Sequence, residues 1–78
     1  MTRVVVTVMP REGVLDPQGQ AVQGALGRLG FAGVTDVRLG RRIELELDGP
    51  DPRAAAQEMC ERLLANALIE DFSIDLED

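Results

Sequence analysis

The residues that most often move protons or attack carbon near neutral pH are scarce in this chain. Its 78 residues include no histidine and a single cysteine, Cys60. A nucleophile with an adjacent base is therefore hard to assemble. Cys60 falls on the apolar stripe of a segment with helical spacing, where buried cysteines act as inert core residues. Asp16 carries a carboxylate that could serve as a base, but its position directly before Pro17 explains it as a helix cap. Glu58, Glu61, Glu70 and Asp71 could surround a cation, yet they lack the spacing of a calcium loop and read as a solvated face. A Cys/His metal cluster is excluded by composition. The expectation is a chain with no catalytic residues, no bound metal and no cofactor of its own.

One cationic cluster stands out. Arg38, Arg41 and Arg42 lie close together in a chain whose formal net charge is −6. They suit a solubilising charged edge, or contact with an acidic partner surface or a phosphate. Nucleic acid is a poor partner, because acidic charge repels the phosphate backbone. The chain also has no Trp or Tyr on which bases could stack, and only Phe31 and Phe72.

The elements that must carry these residues are marked by punctuation. Asp16-Pro17 and Asp51-Pro52 each precede a run with helical apolar spacing, and Asp-Pro suits the cap and first position of a helix. The first helix is expected from Pro17 to Leu29, with Ala21, Val22, Ala25, Leu26 and Leu29 on one stripe and Gly30 as its left-handed stop. Gly24 and Gly27 inside it suggest close packing on a sheet, or a surface kept low for a partner. The second helix is expected from Pro52 to about Asn66.

Val4 to Met9 is almost wholly apolar, with no polar face, and reads as a central strand buried on both sides. Val34 to Leu39 and Ile43 to Leu47 are expected to form a hairpin around Gly40-Arg41. The last strand spans Ile69 to Leu76. The order is β-α-β-β-α-β, which makes the fold class α+β: two helices on one face of an antiparallel sheet, related to the ferredoxin-like arrangement. Residues 1–78 form a single domain. Without a staple, so small a core needs a second copy to bury enough surface. No signal peptide or membrane span is visible, so the cytoplasm is the expected compartment.

Three stretches of the chain resemble PurS, the small-subunit family of phosphoribosylformylglycinamidine synthase. Val14-Leu15-Asp16-Pro17-Gln18-Gly19 with Ala21-Val22-Gln23 resembles the family's loop and first helix. Asp36-Val37-Arg38-Leu39-Gly40, followed by Ile43-Glu44-Leu45, resembles its central hairpin. Glu58-Met59-Cys60-Glu61-Arg62-Leu63-Leu64-Ala65-Asn66, running on to Ile69-Glu70-Asp71-Phe72, resembles its second helix and last strand.

The resemblance implies a non-catalytic subunit of a purine-synthesis ligase. Such a subunit bridges a PurQ-type glutaminase, which releases ammonia, and a large PurL-type synthase, which uses ATP and Mg²⁺. It helps the ammonia cross between them. It also implies a homodimer or tetramer, and makes Asp16, Gln18, Arg38, Arg41 and Arg42 the candidate partner-interface residues. The family often has Gly-Lys at the hairpin turn where this chain has Gly40-Arg41-Arg42, so a planar fork replaces a point charge. The alternative is an ACT-like regulatory module that binds a small molecule near Gly13.

Overall fold

The computed structural model of the chain describes residues 1 to 77; Asp78, the last residue of the expected domain, lies outside them. Both Asp-Pro pairs start helices, α1 over Pro17–Arg28 and α2 over Pro52–Met59. Asp16 Oδ1 accepts from the Gly19 amide at 2.9 Å, and Asp51 Oδ1 from the Ala54 amide at 3.1 Å. Each satisfies a donor that the first turn leaves open. Gly30, at φ +100°, takes the chain out of α1 as expected.

α2 stops short of Asn66. After Met59 the helix widens into one π turn, Cys60–Leu64, closed by the Ala65 amide donating to Cys60 O at 3.0 Å. Asn66 instead builds the following turn. Its carbonyl accepts from the amides of Ile69 and Glu70 at 3.0 and 2.7 Å, and its side-chain oxygen accepts from Leu68 at 3.1 Å.

Three antiparallel strands, β1 (Thr2–Pro10), β2 (Arg41–Leu47) and β3 (Glu70–Glu77), form one sheet in the order β2-β1-β3. The apolar β1 is central. Its register sets Val4 beside Leu45 and Leu76, Val6 beside Ile43 and Ile74, and Val8 beside Phe72. Strand alternation brings these side chains to one face, and α2 covers it. Ala56 and Cys60 are fully buried there with Val4, Val6 and Val8. No helix among the described residues covers the other face, so β1 is not buried on both sides as its apolar run suggests. Val5 is buried between Glu44 and Asp75, but Thr7 lies between Arg42 and Ser73 and Arg3 between Glu46 and Glu77.

The α+β class and the chain order β-α-β-β-α-β hold, with one difference in pairing. Residues 34 to 40 occupy the second-strand place but form no hairpin with β2. β2 pairs with β1 instead, and β3 takes the remaining edge of β1, so this segment has no strand beside it. Among the described residues, no backbone–backbone hydrogen bond involves positions 35 to 40.

Close packing of Gly24 and Gly27 on the sheet is not seen. A Cβ on Gly27 would meet nothing within 4 Å, and one on Gly24 only Arg28 of the same helix. α2 packs on the sheet, whereas α1 has no comparable seat on it. The radius of gyration is 15.8 Å, where a compact chain of this length has about 11.5 Å. No helix among the described residues is long and apolar enough to cross a membrane.

The two faces of β1 predict opposite responses to isosteric exchange. Val6→Thr puts a hydroxyl into the covered face and should destabilise the chain by about 1–3 kcal/mol. Thr7→Val on the polar face should stay within about 0.5 kcal/mol of the parent. Urea unfolding of the two variants checks this; equal losses would contradict a one-sided core.

Candidate partner interface

Four of the five expected interface residues gather at one end of the sheet, where β1 leaves, β2 and β3 enter and α1 starts. Asp16 is central there. While Oδ1 caps α1, Oδ2 accepts from the backbone amide of Leu39 at 2.8 Å. These two amides, Gly19 first and Leu39 second, hold the carboxyl below its usual range. Gln18 lies exposed on a groove of about 360 Å³ that Asp16, Leu39, Gly40, Arg41 and Glu70 also line. Arg38 donates to the carbonyl of Pro10.

Arg41 is committed within the chain. Its guanidinium forks onto Glu70 at 3.0 and 3.1 Å and also donates to Leu64 O at 2.8 Å, at the end of the π turn. Glu70 in turn accepts from the Asn66 amide at 2.8 Å. Arg41 first and that amide second hold the Glu70 carboxyl below its usual range. Arg42 points the other way. It is paired in register with Thr7, on the polar face, and contacts Glu44 at 3.1 Å. Glu44 also pairs with Arg3, and Arg3 first, then Arg42, lower its pKa. The three arginines of the sequence cluster therefore serve two faces and do not form a single patch.

Arg11 belongs to this end of the molecule and carries no warning in the sequence. It donates to Ala67 O at 3.1 and 2.8 Å, and pairs with Asp71 at 3.0 Å. Its own amide donates to Ile69 O at 2.8 Å. The partners lie more than fifty residues away, beyond the reach of any spacing rule. A second, more polar groove of about 540 Å³ runs from Arg11 and Gly13 past Asp16 and Gln20 to Asp36 and Arg38.

Neither groove holds a nucleophile beside a base. Cys60, the first residue of the π turn, is fully buried against the sheet, and burial pushes its thiol pKa up. Among the described residues no group of three His, Cys, Asp or Glu side chains is placed to hold a metal ion. What the arrangement offers is recognition: an ordered charged end, a segment at 35 to 40 that joins no strand, and exposed apolar side chains. These last include Leu29 on α1 and, with Leu45 and Met59, Leu63 on a separate groove of about 450 Å³.

The family model for PurS, phosphoribosylformylglycinamidine (FGAM) synthase, matches residues 3–78. The chain belongs to the PurS family. A PurS subunit of this synthase from Mycobacterium leprae is 53% identical over 77 residues, 99% of this chain and 98% of that protein. The solved PurS of Bacillus subtilis superposes with a TM-score of 0.94 at 45% identity, covering 100% of both chains. A structure of PurLQS from Thermotoga maritima contains a chain similar at TM-score 0.84 and 25% identity, covering 97% of this chain and 96% of that one. Membership makes the chain a subunit of FGAM synthase, in purine biosynthesis, and sets aside the ligand-binding regulatory reading around Gly13.

The lowered carboxyls of Asp16, Glu44 and Glu70 set the acid side of stability. Because folding lowers their pKa values, they stabilise the fold fully above the ordinary carboxylate range. That contribution is lost as the pH falls through and below it, from about pH 5 downward. The melting temperature should fall over that interval. Glu70→Gln should start lower at neutral pH and fall less steeply. Melts followed by circular dichroism between pH 7 and pH 3 read both effects; parallel acid profiles would show that Glu70 contributes nothing.

Proposed function

We propose that this chain joins a PurL-type synthase subunit to a PurQ-type glutaminase and helps ammonia pass between them, working in the cytoplasm. The observation that carries this reading is its likeness, along nearly its whole length, to a chain of the Thermotoga maritima PurLQS structure. In this reading the glutamine and ATP reactions, and the ATP and Mg²⁺, belong to the partners, since the chain has no histidine and its one cysteine is buried. Holding two active sites together raises the local ammonia concentration at the second without any bond-making by the bridge.

The chain acts as a homodimer or tetramer in this reading. Support comes from three features that a single copy leaves unused. They are the residues 35 to 40, which no strand of the same copy joins, the exposed Leu29 that ends α1, and the outer edges of the three-stranded sheet. Sedimentation at micromolar concentration should give a dimer or larger. A species of 8.5 kDa alone would rule this out.

The bridging role is tested by reconstitution with each nitrogen source. Large subunit and glutaminase together should make product from glutamine only when this chain is present. The large subunit alone should still use concentrated free ammonia. Of the expected interface residues, Gln18 is the one to alter, because it lies exposed on the groove, whereas Arg41 holds the fold through Glu70 and Leu64 and Arg42 pairs with Glu44 on the other face. Gln18→Arg should lower glutamine-dependent turnover several-fold and leave the ammonia-dependent rate unchanged. Full glutamine-dependent activity without the chain would end the reading.

A further inference from the structure

Residues 37 to 40 cross between α1 and the end of β1 with almost no room on either side. On one side, a Cβ at Gly19 would fall well inside contact distance of Val37 O, and 2.8 Å from Asp16 Oδ2. Gly19 is the buried residue of α1, although the helix around it is largely exposed. On the other side, a Cβ at Gly40 would overlap Val8 O and Met9 Sδ. Neither glycine has a positive φ, so space and not backbone conformation requires them. Between them Leu39 donates to Asp16 Oδ2, and Arg38 donates to Pro10 O. The segment is gripped at four consecutive residues.

This grip has a mechanical meaning because α1 lacks a seat on the sheet. Beyond the grip, it is attached through the loop from Arg11 to Leu15. We propose that Asp16, Gly19 and Gly40 are positioning residues: they lock α1 at one angle to the sheet, through residues 37 to 40, and glutamine-dependent synthesis needs that angle. The need for the angle rests on the assembly proposed above; the lock itself does not.

Asp16 then has two separable jobs. Oδ1 caps the helix, which any good N-cap residue can do, and Oδ2 holds Leu39. Asparagine caps about as well as aspartate but has one acceptor oxygen in place of two, and its amide nitrogen would face a donor. Asp16→Asn should therefore keep the helix and release the lock. Gly19→Ala sharpens the distinction, because alanine favours an isolated helix while its Cβ forbids the approach of Val37. Gly27→Ala makes the same chemical change in the same helix, in open space, and is the control.

The full chain is examined by amide exchange, by residual dipolar couplings that report the angle of α1, and by reconstituted synthesis from glutamine and from ammonia. Exchange at Leu39 should quicken about tenfold or more in Asp16→Asn and in Gly19→Ala, as loss of one hydrogen bond implies. The α1 angle should shift, and glutamine-dependent turnover should drop while the ammonia-dependent rate holds. Gly27→Ala should change none of these. If Gly19→Ala fails to fold, Asp16→Asn still decides the matter, because it adds no bulk. An unchanged α1 angle in the altered chains would overturn the lock. A shifted angle with full glutamine-dependent turnover would overturn its part in assembly. If the unaltered chain gives no glutamine-dependent gain, the bridging reading fails, and exchange and couplings still judge the lock.

Discussion

β1 must be paired along both edges and covered on one face, and the rest of the molecule follows from satisfying it. Its run of valines can neither lie at a sheet edge nor face water on the Val4, Val6, Val8 side. Pairing with β2 and β3 uses both edges, and α2 closes the face. The small side chains of Ala56 and Cys60 allow that helix to come close. Once those positions are taken, residues 34 to 40 have no strand to join. α1, which precedes them, leaves the sheet with them.

What a ladder does not hold, side chains hold. All eight basic residues are arginine, and four of them donate to main-chain carbonyls: Arg11 to Ala67, Arg38 to Pro10, Arg41 to Leu64 and Arg53 to Ile74. A guanidinium can serve a carbonyl with one nitrogen and a carboxylate with another, as Arg11 and Arg41 do. Cationic groups in a chain of net charge −6 thus act largely as internal fasteners, at the points where strands meet loops.

Local rules made much of this legible in the sequence. The Asp-Pro caps, the stop at Gly30, the central β1 and the alternating β2 and β3 all rest on interactions within a few residues, or on a simple period. The hairpin expected from Val34 to Leu47 was a competition between two partners for β2. Spacing cannot show that β1 prevails, because that outcome depends on which edges are free. The π turn at Cys60 to Leu64 is likewise invisible to a 3.6-residue period. Asp16 was legible as a cap, but not as the holder of Leu39, twenty-three residues on. Arg11 gave no signal at all, since a loop arginine looks the same whether or not a distant carbonyl awaits it.

The uncovered face of the sheet carries Glu44, Glu46, Asp71, Asp75 and Glu77 against Arg3, Arg42 and, on Asp71, Arg11: five carboxylates to three guanidiniums. Two such faces repel when they approach in solution, over a range of about 8–10 Å at moderate ionic strength. Encounters between copies are thereby biased away from back-to-back stacking and toward the edges and the α2 side. The charge pattern sorts collisions by orientation before any contact forms, and added salt weakens that sorting.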